Sequence, residues 1–143
     1  MNKKTETRIT QACAIAIARG LKPEIDLEEQ LVSLSRDAAS ALLNFSEDYI
    51  ELEMIKVKPT ERHKHHGSLM LADIVAIADH LHLNITLVAA SMKHSHVSGL
   101  CQTKLKKWYR RYGFEDSGVY MRRIFIKPAE KHTAEMPSVV ATP

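Results

Sequence analysis

The sequence predicts an α/β domain, and three observations carry that reading. Residues 50–57 alternate polar and apolar side chains, the mark of a strand. Residues 68–83 and 102–112 repeat apolar side chains every three or four positions, the mark of helices. Short stretches at 84–89 and 119–126 read as two further strands. Strand, helix, strand, helix, strand is the order expected of a sheet whose strands are joined through helices.

Each element has its own justification. Residues 5–19 place Ile9, Cys13, Ala16 and Ile17 on one helical face and stop at Gly20, with Pro23 just beyond. Asp26 followed by Glu29 has the spacing of a helix N-cap with a reaching carboxylate. Leu27, Leu31, Leu34, Ala38, Leu42 and Phe45 then recur at helical spacing, so a second helix is expected to end near Asn44. Lys58-Pro59 halts the strand that begins near Tyr49. In 68–83, Met70, Ile74, Ile77, Ala78 and Leu81 share a face with Leu71 and Val75 beside them, which predicts a largely buried helix. The helix over 102–112 ends at Gly113. Residues 127–143 include three prolines and little periodic apolar content, and are expected to be a flexible tail.

Composition narrows the class. A chain of 143 residues with 45% hydrophobic and 26% charged side chains suits one globular domain and excludes a collagen-like or wholly disordered chain. The charged start and the interruption by Arg19 fit neither a signal peptide nor a membrane span, so no membrane partner and a cytoplasmic location are expected. Cys13 and Cys101 lack metal-type spacing and read as reduced, small hydrophobes. The net charge of +3 is concentrated late, in Lys104, Lys106, Lys107, Arg110, Arg111, Arg122 and Arg123, which suits phosphate-bearing partners.

The chemistry gathers between the first strand and the long helix. Val57, Pro59, Arg62, Gly67 and Met70 or Leu71 follow a spacing that resembles the signature V-x-P-x-x-[RQ]-x-x-G-x-[GA]-x-x-L of the GNAT N-acetyltransferases. The physics stands apart from the family name. A turn feeding a helix N-terminus aims backbone N–H groups outward at the positive end of the helix dipole, and a glycine such as Gly67 admits a phosphate close to the backbone. A second segment, from Gln102 through Leu105, Trp108, Tyr109 and Gly113 to Phe114, resembles the family's N-x-x-A-x-x-[LF]-Y-x-x-x-G-F helix, with Gln102 in place of Asn and Leu105 in place of Ala. His65 occupies the usual first glycine, where an ordinary φ/ψ and an imidazole turned away from the ligand are expected.

The resemblance spans about 49–126 and implies a mixed sheet flanked by helices with an acetyl-CoA binding part (49–126); it leaves out the helical N-terminal part (1–48), which stands in place of the usual first strands in one domain of 1–126. It implies acetyl-CoA as cosubstrate and acetyl transfer to a primary amine on a small molecule, a protein or an aminoacyl-tRNA. Arg62, His63, Lys64, His65, His66, Gly67 and Ser68 would cradle the pyrophosphate, the backbone at Ile55 and Val57 the pantetheine arm, and Gln102 the cofactor as well. Tyr109 would be the general acid toward the departing thiolate, a phenol pKa of about 10 being close to a thiol's. Equal parity along the strand places Glu51, Glu53, Ile55 and Val57 on one face, with Glu51 as the general-base candidate. Tyr109 as one more core aromatic and Glu51 as a solvated carboxylate are the plainer alternatives. Absent early strands would leave the cleft to be rebuilt, a homodimer being one way.

Other readings compete. Seven of the eight histidines fall between His63 and His96, but neither His63-Lys64-His65-His66 nor His94-Ser95-His96 has an Asp or Cys at ligand spacing, and no metal is expected. The basic helix with Trp108, Tyr109 and Tyr112 is also of the type that contacts nucleic acid. The alternative to an enzyme is a catalytically inactive GNAT-like module that binds protein or nucleic acid.

Overall fold

In the computed structural model, residues 3–61, 64–88, 102–118 and 120–126 are described. A seven-stranded sheet runs in the order β1-β2-β3-β4-β5-β7-β6. Its elements are α1 (Lys3–Ala18), β1 (Lys22–Asp26), β2 (Leu31–Arg36), β3 (Ala39–Phe45), β4 (Tyr49–Val57), a 3₁₀ turn (Pro59–Glu61), α2 (His66–Leu81), β5 (Asn84–Leu87), α3 (Gln102–Arg110), β6 (Glu115–Ser117) and β7 (Tyr120–Arg123). Only β4 and β5 pair in parallel, α2 supplying the crossover between them, and every other neighbouring pair is antiparallel. The sheet is therefore mixed and flanked by helices, as expected. No described helix is long and apolar enough to cross a membrane.

The second helix expected from Asp26 to near Asn44 is instead the end of β1 followed by β2 and β3, so three antiparallel strands lie between α1 and β4. Inward-facing side chains are Val32 and Leu34 on β2, then Ala39, Ala41, Leu43 and Phe45 on β3, a strict period of two. Leu27 is 48% exposed, while Leu31 and Leu42 lie only half-buried; the helical spacing had counted both faces of the hairpin as one. The N-cap signal was real but local: the Glu29 backbone N–H donates to Asp26 Oδ1 at 3.2 Å, bracing the turn from β1 to β2. In the turn at 37–38, Asp37 adopts the left-handed φ of 52°, which Asp tolerates better than most side chains.

α1 and α2 cover one face of the sheet. Thr5, Ile9, Ala12, Cys13 and Ala16 form the buried stripe of α1, whereas Ile17, expected in it, is 62% exposed. Met70, Leu71, Ile74 and Ile77 of α2 are essentially fully buried, each contributing roughly 1.5–3 kcal/mol relative to exposure. The left-handed His82, with φ 60°, ends α2 one turn after Ala78 by sending its N–H back to the Ala78 and Asp79 carbonyls.

Asp73 ties three elements together. Its buried carboxylate accepts from Arg19 Nε at 2.7 Å, just past α1, and from Arg36 Nη2 on β2. Both arginines reach solvent, with side chains 43% and 26% exposed, so they regain hydration if the carboxylate is lost. Asp73→Ala is therefore expected to cost about 2 kcal/mol, below the 3–5 kcal/mol typical of an orphaned buried charge. Urea unfolding measures it, and a loss under about 0.5 kcal/mol would show the network to be surface decoration.

Candidate functional site

The site begins where two parallel strands part. β4 and β5 pair from Tyr49↔Asn84 to Leu52↔Leu87, and β4 then continues to Val57 along β3 alone. On the β5 side, the β4 backbone beyond Leu52 has no strand partner among the described residues, leaving hydrogen-bonding groups for a ligand. Ile55 and Val57 are each 2% exposed, their side chains in the core. Contact at these two residues can only be through the backbone.

A bulge changes the faces. The register with β3 slips between Leu42↔Met54 and Leu43↔Leu52, leaving Glu53 as the extra residue. Ile50 and Leu52, then Ile55 and Val57, face the core, whereas Glu51 faces the other way and Glu53 and Met54 are both exposed. The expectation that Glu51, Glu53, Ile55 and Val57 share one face is thus corrected: one inserted residue inverts parity along the strand.

The predicted phosphate cradle lies at the end of β4. Lys64 Nζ and His66 Nε2 approach Glu61 Oε1 at 3.3 and 3.7 Å, so a carboxylate sits among the donors. Arg62 and His63 lie outside the described residues. His65 is the N-cap of α2, with φ 65° and ψ 14° and no side-chain cap hydrogen bond. The ordinary φ/ψ expected for it is not adopted: the backbone takes the left-handed conformation natural to glycine, at a cost of about 1–2 kcal/mol for a side chain. Helix geometry leaves the N–H groups of His66, Gly67 and Ser68 without intrahelical acceptors, while that of Leu69 bonds the His65 carbonyl at 3.0 Å. Gly67 is buried.

α3 closes over this turn. Trp108 Nε1 donates to Ser68 Oγ at 2.9 Å, and the Tyr112 hydroxyl donates to the Ser68 carbonyl at 3.4 Å. Two segments 40 residues apart, each singled out in sequence, therefore meet. Ser68, expected as a phosphate ligand, holds α3 in place. The anchoring by Trp108 was not foreseen, because an indole N–H needs a partner when buried but does not specify which one. Gln102 opens α3, and its side chain lies outside the described residues.

Tyr109 is 6% exposed and packs against Trp108 and Phe114, with ring centroids 4.9 and 5.5 Å away. Burial pushes its phenol well above the ordinary tyrosine value, which keeps the proton on it at neutral pH and makes it a weaker acid than the close match to a thiol expected from the sequence. A phenol pKa raised by folding stabilises the fold below its unfolded value of about 10, and that contribution is lost as pH climbs toward the folded value. Wild-type protein is thus expected to lose stability above pH ~10 more steeply than Tyr109→Phe. Urea unfolding of both at pH 9 and 11 checks this; parallel losses would place the alkaline sensitivity elsewhere.

On the sheet face away from α1 and α2, a groove of about 450 Å³ is lined by Tyr49 and Glu51 of β4, Asn84 and Thr86 of β5, Tyr120 and Arg122 of β7, and Asp48. Burial, and secondarily the Glu51 charge, raises the Glu53 carboxyl beside it. Glu51 was foreseen here; Thr86 and Arg122 were not, because only strand pairing brings them beside it. Among the described residues no three His, Cys, Asp or Glu side chains gather as a metal site, and His63, His94 and His96 lie outside them.

The fold has a solved counterpart. The chain is similar to the anti-CRISPR protein AcrVA5, with a TM-score of 0.52 and 22% identity over 63% of this chain and 94% of that one. At that identity the likeness is one of fold alone. No protein-family model matches the chain, and no curated protein matches it.

Proposed function

We propose that the chain is an acetyl-CoA-dependent N-acetyltransferase acting on a primary amine. The observation that carries the proposal is the Trp108–Ser68 hydrogen bond, which sets α3 on the first turn of α2 beside the parting of β4 and β5. A pyrophosphate fits the free N–H groups of that turn, where the helix dipole favours an anion. The unpaired β4 edge suits the amide groups of a pantetheine arm. The amine nitrogen attacks the thioester carbonyl, the C–S bond breaks, Tyr109 gives its proton to the thiolate, and Glu51 takes the proton leaving the amine. β1, β2 and β3 extend the sheet on the β3 side of β4 within the chain itself.

Titration calorimetry with acetyl-CoA tests the reading, with a micromolar Kd expected; no binding at high micromolar concentration would sink it. A second reading, a catalytically inactive module that binds protein or nucleic acid, is favoured by one observation. Lys104 and Lys107 on α3 and Arg111 just past its end are exposed, and none of them is ion-paired to a described residue, whereas Lys106 and Arg110 pair with Asp116. Binding to tRNA or DNA that weakens steeply with salt, without acetyl-CoA binding, would favour that reading.

A further inference from the structure

The groove on the open face of the sheet places opposite charges on either side of a hydroxyl. Glu51 stands in register with Thr86 on β5, and Thr86 with Arg122 on β7. At about 4.8 Å between neighbouring strands, the Glu51 and Arg122 backbones are roughly 10 Å apart. Among the described residues neither side chain has an ion-pair partner, although Glu115 stands across from Arg122 in register on β6. Asp48, at the groove's end, is held by Lys4 at 3.6 Å. Tyr49 and Tyr120, 40% and 50% exposed, add aromatic surface suited to methylenes or an ammonium group.

The groove adjoins the fork. Leu52↔Leu87, the last pair before β4 and β5 part, is one residue beyond Glu51↔Thr86, a rise of about 3.3 Å. A group lying against Glu51 is therefore beside the place where, on the acetyltransferase reading, the thioester is presented. We propose that this groove is the acceptor subsite, and that its ligand is an amine that also carries a carboxylate, with the ammonium toward Glu51 and the carboxylate on Arg122. The proposal rests on the acetyltransferase reading for the word acceptor; the charge pattern stands without it. One guanidinium fork matches one carboxylate in bidentate geometry. A phosphate dianion suits the groove less, because Glu51 and Asp48 outnumber its single arginine.

The test compares 4-aminobutyrate with n-butylamine, amines of equal chain length that differ in the carboxylate, by NMR titration of the full chain. The wild type is expected to bind 4-aminobutyrate at least about tenfold more tightly, the worth of one charge-assisted bidentate contact. Arg122→Gln brings the ratio close to one and Arg122→Lys restores part of it, while Glu51→Gln weakens both amines. Arg122 is exposed, so these substitutions leave the core untouched. Equal affinity for the two amines, binding of neither, tighter binding of phosphoethanolamine, or a preference that survives Arg122→Gln would overturn the proposal. Acetyl-CoA is titrated separately. Its failure to bind, alongside an intact Arg122-dependent preference, overturns the transferase reading alone and supports the groove as a site for such amines.

Discussion

Arg123→Ala is expected to lower stability by about 3 kcal/mol, since truncation strands a carboxylate and a carbonyl that now share one guanidinium. Arg123 Nη1 and Nη2 donate to Asp79 Oδ1 and Oδ2 at 2.6 and 3.0 Å, and Nε donates to the Tyr112 carbonyl at 2.8 Å. One side chain, only 15% exposed, thereby joins β7 to α2 and to the end of α3. Asp79 is 34% exposed and regains some hydration, which keeps the loss at the lower end for a buried pair. The corresponding fall in Tm is roughly 10 °C. Arg123→Lys should recover only part, because an ammonium cannot reproduce the fork. A loss below about 1 kcal/mol in urea unfolding would show that water replaces these bonds at little cost.

Tyr109→Phe is expected to lower kcat for acetyl transfer by about 10²-fold or more, while acetyl-CoA affinity stays nearly intact. The substitution removes one oxygen from a buried ring whose packing on Trp108 and Phe114 is kept. Loss of activity together with loss of binding would point to a packing role for the phenol. Unchanged kcat would move the general acid to another group or to water. Steady-state kinetics paired with calorimetry separate the three outcomes.

Much of the second half of the chain was legible in sequence. The helix expected over 68–83 is α2, the strand over 84–89 is β5, and the helix over 102–112 is α3, each displaced by a few residues at its ends. These elements carry long or uniformly apolar patterns bounded by strong stops, such as Gly113 with φ 96°. The strand expected over 119–126 is β7, whereas β6 was not expected, because that short, wholly exposed strand has no apolar alternation to detect.

The sequence by itself determined the α/β class, the identities of β4, α2, β5, α3 and β7, and the two segments singled out around Ser68 and Trp108, though not that they meet. These follow from local periodicity, turn chemistry and capping, which act within a few residues. Only the tertiary structure decided that 22–45 is a strand meander, that the Glu53 bulge sends Glu51 to the open face, and that Glu51, Thr86 and Arg122 stand side by side. The physical reason is the same each time. A strand's register and face are set by its partners, and those partners lie far away in sequence, so the same apolar spacing serves a helix or a hairpin until the pairing is made.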